Sequence, residues 1–168
     1  MTSKARWFWP LALTLLFTDC ATKRAVEHRL PVGEPQPVVG EVVRFTLSYN
    51  TNAAMGLQLG GESRRLVLSA LTIAALLVLG VLYHRTRPSD RLRVIGVALV
   101  AGGALGNLVD RIRSSAGVVD FIDVGVSHVR FWTFNVADMG ITAGAVLLLL
   151  ALGWKAHGRG LSGSQISP

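Results

Sequence analysis

The acidic residues of this 168-residue chain are few, ten against seventeen lysines and arginines, and several stand at the ends of apolar runs. "FNVADMGI" (134–141) sets Asn135 and Asp138 at the start of one such run. "GGALGNLVDR" (102–111) closes another with Asn107, Asp110 and Arg111, at spacings of three and four that share one helix face. Asp19 and Lys23 in "TDCATK" (18–23) are four apart and can pair on a helix. Asp120 and Asp123 lie in "VVDFID" (118–123), between the last two runs. Carboxylates crowded together resist ionising at once, so one can stay a base while its neighbour stays an acid. The chemistry on offer is general acid–base catalysis by paired carboxylates.

Other chemistries fit poorly. The histidines at 28, 84, 128 and 157 are scattered, with no HExxH or cysteine-rich spacing for zinc. "GLSG" (160–163) is the one serine motif, and it lies in a polar tail. Cys20 is the only cysteine, which excludes an internal disulfide.

The elements that must position these groups follow from composition. With 51% apolar and only 16% charged residues the chain reads as a membrane protein. Runs at 7–25, 66–83, 92–109 and 135–154 are long enough for a hydrocarbon core of about 30 Å. Gly102 and Gly106, four apart in the third run, permit close helix contact. Lys4 and Arg6 ahead of an apolar stretch ending in Cys20 also suggest a cleaved leader. However, Asp19 stands where a lipoprotein cleavage site wants a small residue, so the segment is read as a helix.

Lys4, Arg6, Arg85, Arg87, Arg91, Arg93, Lys155 and Arg159, against the single acid Asp90, account for the whole net charge of +7. Four spans with both termini in the cytoplasm put all of them on one side. The basic excess is then a topology signal beside anionic lipid, and nucleic acid is not needed to explain it. On the same reading every polar group named above gathers at the opposite rim. "EVVRFTLSYN" and "SHVRFWTFN" read as strands of a small sheet on the far membrane surface. Phe131, Trp132 and Phe134 suit an interfacial aromatic belt. Residues 1–156 are expected to form one all-α membrane domain with that sheet, and 157–168 a disordered cytoplasmic tail.

Five strings in order, "TDCATK", "YNTNAAMG" (49–56), "GGALGNLVDR", "VVDFID" and "FNVADMGI", together with the four runs, resemble the bacterial lipoprotein signal peptidases, or signal peptidases II. The resemblance spans almost the whole chain. It implies an aspartic endopeptidase of the inner membrane, without metal or cofactor. Its substrates would be prolipoproteins, cut just before a diacylglyceryl-modified cysteine near the periplasmic face. By motif the catalytic pair is Asp120 and Asp138, supported by Asp19, Lys23, Asn50, Asn107, Arg111 and Asn135. Asn107 and Asn135 would orient the pair or hold the substrate backbone, and Arg111 would anchor a carboxylate or a lipid phosphate or carbonyl. Asp110 is expected to be a structural partner. Asp138, near a helix N-terminus, is expected to be the ionised member.

Two departures from the family pattern stand out: Asn52 where glycine is usual, and a stretch from Arg111 to Asp120 about one residue longer. Residues 26–65 are expected to lie over the rim as lid and cradle. The alternative from a different class is a small proton-coupled transporter component, because intramembrane Asp, Lys and Arg also mark ion paths.

Overall fold

Apolar runs of this length become helices because a helix satisfies every interior backbone group within itself. The computed structural model describes residues 4–50 and 61–160. Its elements in chain order are α1 (Ala5–Arg29), β1 (Gln36–Val39), β2 (Val43–Asn50), α2 (Gly61–Arg85), α3 (Arg91–Arg113), β3 (Val118–Val126), β4 (Val129–Arg130) and α4 (Val136–Gly160). Each expected run is thus a helix, extended at one or both ends. Two of them, α2 and α3, are long and apolar enough to cross a membrane, and α4 holds a shorter apolar stretch, Val136–Leu152.

The central helix is α3, which packs against α1, α2 and α4. Small residues let it do so. A Cβ on Gly102 would lie 2.7 Å from the Ala12 carbonyl oxygen of α1, so only glycine allows that approach. The neighbouring Gly103 abuts the Ala137 carbonyl of α4 in the same way. By contrast α2 is peripheral and leaves Leu66, Leu71, Leu77 and Val78 exposed.

The two ends of the helical layer differ in chemistry. At one end Lys4 Nζ donates to the carbonyls of Tyr83 (2.8 Å), His84 (3.1 Å) and Thr86 (3.3 Å), tying α1 to the last turn of α2, where carbonyls lack helical partners. At the other end sits an antiparallel sheet of order β1-β2-β3-β4. Leu47, Val119 and Phe121 of the sheet close over Val26 of α1, with Phe45, Tyr49 and Val136 packed against them.

β2 carries a bulge, with Thr46 and Leu47 opposite Phe121 alone, between the pairs Phe45–Ile122 and Ser48–Asp120. The expected strand over "EVVRFTLSYN" is β2. The second strand is displaced: 118–123, expected as connecting loop, begins the long central strand β3, whereas "SHVRFWTFN" supplies only the two-residue β4. The chain must leave the ladder there to start α4 one residue after Asn135. It still runs beside β3 through bonds from Phe131 N to Val124 O (2.8 Å) and Phe134 N to Ile122 O (3.1 Å). Within the expected lid and cradle, 36–50 holds β1 and β2, while 51–60, with Asn52, lies outside the described residues. α4 runs through Gly160, and 161–168 of the expected tail also lies outside them.

Candidate active site

Helix α4 begins inside the polar cluster, and its first turn shows why an aspartate stands there. Asn135 precedes the first helical residue, and its Oδ1 accepts the Asp138 N–H at 2.9 Å. Asp138 Oδ2 reaches back to the Asn135 N–H at 3.2 Å. This reciprocal pair is a capping box, with Asp in place of the usual Glu or Gln. Asp19 of α1 accepts the next free donor, the Ala137 N–H, at 2.9 Å.

The same Asn135 also reaches the other carboxylate. Its Nδ2 donates to Asp120 Oδ1 at 2.7 Å, and lies 3.3 Å from Val119 O and 3.2 Å from Asn107 Oδ1. One fully buried side chain therefore touches Asp120 directly and holds Asp138 through its cap. Asp120 Oδ2 takes a further bond from Asn50 Nδ2 at 2.9 Å. The connection from Arg111 delivers Asp120 to Asn135 through a turn in which Gly117 adopts a φ of 107°.

Asn107 has no freedom in how its amide points. Its Oδ1 accepts from Lys23 Nζ at 2.9 Å and from Asn135, which leaves the Nδ2 to donate to Asp138 Oδ1 at 2.9 Å. Lys23 is itself held by Asp19 Oδ2 at 2.7 Å and Asp110 Oδ2 at 2.9 Å, all three buried. A buried ammonium needs such partners, because leaving it unpaired would cost several kcal/mol. Arg111 donates to the Asn107 carbonyl at 3.3 Å.

Burial raises the Asp120 pKa to about 6, and the negative charge of Asp138 works in the same direction. Hydrogen bonds from Asn50 and Asn135 and the charge of Lys23 oppose them. Asp138, half-buried in the first turn of α4, accepts N–H donors on both oxygens, from Asn107 Nδ2 and the Asn135 backbone.

Asp19, Lys23, Asn50, Asn107, Arg111, Asp120, Asn135 and Asp138 therefore all fall in one connected arrangement. Asp123, placed by the sequence in the same cluster, belongs to a different one. It accepts from Arg44 (Nη2, 2.9 Å), Thr46 (3.1 Å) and Arg130 (Nε, 2.6 Å), a clamp that binds β2, β3 and the start of the β4 return. Burial works against its ionised form, but bonds from Arg130, Arg44 and Thr46 outweigh that and hold its pKa below the usual carboxylate value. The separation follows once 118–126 forms a strand, because strand residues three apart point to opposite faces. No comparable signal marked Asp19 as a cap for α4, a contact between residues 118 apart in the chain.

The fold is that of a bacterial membrane enzyme. Two such enzymes, solved by the in meso method at 1.9 and 2.3 Å, resemble it. The first has a TM-score of 0.74 at 28% identity, covering 84% of this chain and 89% of that one. The second has a TM-score of 0.78 at 25% identity, covering 94% and 92%. The family model for signal peptidase (SPase) II matches residues 11–154. A lipoprotein signal peptidase of Coxiella burnetii is 36% identical over 155 residues, covering 89% of this chain and 93% of its own. One of Pelotomaculum thermopropionicum is 40% identical over 141 residues, covering 82% and 86%. The chain belongs to the signal peptidase II family. That membership leaves the transporter alternative without support.

Proposed function

We propose that this chain is an aspartic endopeptidase of the bacterial inner membrane, with Asp120 and Asp138 as its catalytic pair. Removal of signal peptides from prolipoproteins is the activity its family membership gives it. The finer reading is that the scissile bond lies just before a diacylglyceryl-modified cysteine and is cut without metal or cofactor. The observation that carries the catalytic pair is Asn135, bonded to Asp120 through its amide side chain and to Asp138 through its backbone N–H.

In this reading the ionised Asp138 takes a proton from the attacking water. The protonated Asp120 donates to the scissile carbonyl oxygen as the tetrahedral intermediate forms. The raised pKa of Asp120 supports this division, although the titration belongs to the pair as a whole. Asn50 and Asn135 set the direction of the Asp120 carboxyl, while Asn107 sets that of Asp138. Arg111 has donors to spare beside the pair for a lipid phosphate or carbonyl.

All four helices span the membrane in this reading, with both termini cytoplasmic and the sheet at the periplasmic face. The basic residues at the Lys4 end support that orientation. Acyl chains of the substrate then remain in lipid while the cysteine meets the pair. The deciding experiment is cleavage of a diacylated prolipoprotein by the purified protein in detergent, with Asp120→Asn and Asp138→Asn at matched folding. Loss of product in both variants is expected, and cleavage that survives either change would remove that residue from the pair.

A further inference from the structure

Asp110 lies outside the proposed pair and its immediate supports, yet it touches the supports of both halves. Its Oδ2 accepts the Val119 N–H at 3.2 Å, on the strand residue directly before Asp120. The same oxygen lies 2.9 Å from Lys23 Nζ, the group that turns the Asn107 amide toward Asp138. Its Oδ1 accepts from Arg113 Nε at 3.0 Å. Arg113 in turn donates to Glu27 Oε2 at 2.8 Å, on α1.

We infer that Asp110 is a positioning residue that sets the two catalytic aspartates relative to one another. The pair sits on separate elements, Asp120 on β3 and Asp138 on α4, which backbone bonds between Ile122 and Phe134 already join at one point. Asn135 spans them by direct bonds to both aspartates. Asp110 spans them from behind, through α3. Both polar groups of the Val119 backbone are taken by these two residues, the N–H by Asp110 and the carbonyl by Asn135. Strand β3 is thereby held against the helices at the peptide next to Asp120.

Charge alone does not explain the arrangement. Lys23 already has Asp19 as a partner at 2.7 Å, and Arg113 has Glu27. What only Asp110 supplies is one oxygen shared between a backbone N–H and the lysine. Asparagine has a single carbonyl oxygen and cannot also answer Arg113, because its other terminal atom is a donor. Glutamate keeps the charge but moves the oxygens by one methylene.

The inference rests on the proposed catalytic pair, and two variants test it. Asp110→Asn and Asp110→Glu are each purified in detergent, their folded fraction matched to the wild type by thermal unfolding, and cleavage of a diacylated prolipoprotein is followed to separate kcat from KM. Both variants are expected to lose about ten- to a hundredfold in kcat, the range for sub-ångström to ångström misplacement of reacting groups, with KM within twofold. Should Asp110→Asn not fold, Asp110→Glu, which retains both ion pairs, decides alone. Wild-type kcat in the folded Glu variant would overturn the positioning role, since charge would then suffice. A rise in KM with kcat unchanged would overturn it as well. If cleavage persists in Asp120→Asn or Asp138→Asn, the catalytic pair itself fails. If those two abolish it and the Asp110 variants do not, only this inference fails.

Discussion

The Asp19 carboxylate on α1 accepts the Ala137 N–H at 2.9 Å in the first turn of α4, and its other oxygen lies 2.7 Å from Lys23 Nζ. One buried side chain thus caps the start of a helix through an N–H 118 residues further along the chain and neutralises the lysine behind the site. Asp19→Ala removes the cap and leaves Lys23 with Asp110 as its one carboxylate partner. Breaking a buried pair of this kind costs about 3–5 kcal/mol. A large fall in the thermal or denaturant unfolding midpoint in detergent is expected, together with lost cleavage. A midpoint equal to the wild type would show that α4 starts without this cap.

Gly106 of α3 faces the same carboxylate. A Cβ placed there would lie 2.5 Å from Asp19 Oδ2, so Gly106→Ala must displace Asp19 or separate α1 from α3. Overpacking of this order costs about 1–3 kcal/mol. Gly80→Ala on α2, where nothing lies within 4 Å, is the control and is expected to be neutral or stabilising. Equal midpoints for the two variants would count against the close packing.

Asp120 gives the site a pH dependence. Its pKa rises from 3.8 to about 6 on folding, through burial first and then the neighbouring charge of Asp138. The fold therefore favours the protonated form. The stability this contributes is complete below about 3.8 and is lost as pH rises through about 6. Catalysis that uses this proton is expected to decline on the alkaline side of about 6, as the pair loses it. A pH–rate profile of kcat/KM measures this, and a rate that is flat or still rising above that value would contradict it.

Asp123 is expected to behave in the opposite sense. Its pKa is lowered, so its contribution is present above the ordinary carboxylate value of 3.8 and lost as pH falls through the lowered folded pKa. Asp123→Asn weakens the Arg44 and Arg130 bonds and is expected to destabilise by about 2–4 kcal/mol. The folded fraction should retain wild-type kcat. A large loss of kcat at matched folding would return Asp123 to the active site.

Trp132 and Phe131 are exposed just ahead of α4, beside exposed Val126 and Val129. Ahead of a helix proposed to span the membrane, an apolar edge of this kind belongs at the lipid interface. With the other three tryptophans changed to phenylalanine, Trp132 fluorescence in vesicles should be quenched by lipids brominated near the headgroup. Quenching only by a water-soluble agent would place this edge away from the bilayer.

Much of the site was legible in the chain because its motifs are local. Asn135 and Asp138 are three apart, as a capping box requires, and Asn107 and Arg111 share one face of a helix whose apolar period is plain. Asp19 and Lys23 likewise paired as their spacing indicated. The strand 118–126 was not legible as one. Its residues Val118–Phe121 are buried together, so the alternation that betrays a half-buried strand is faint, whereas the aromatic stretch after it carried the stronger β signal.

The sequence by itself determined the helices, the polar residues at their ends and the family, since these depend on local period, composition and motif order. Only the tertiary structure decided which carboxylates meet. Asp120 and Asp123 are three apart in one strand, but Asp120 turns to Asn135 and Asp123 to Arg44 and Arg130. Asp19 reaches α4 because glycines on α3 let the helices close in. Such contacts join residues far apart in the chain, and their free energy comes from shared burial, which no single segment contains.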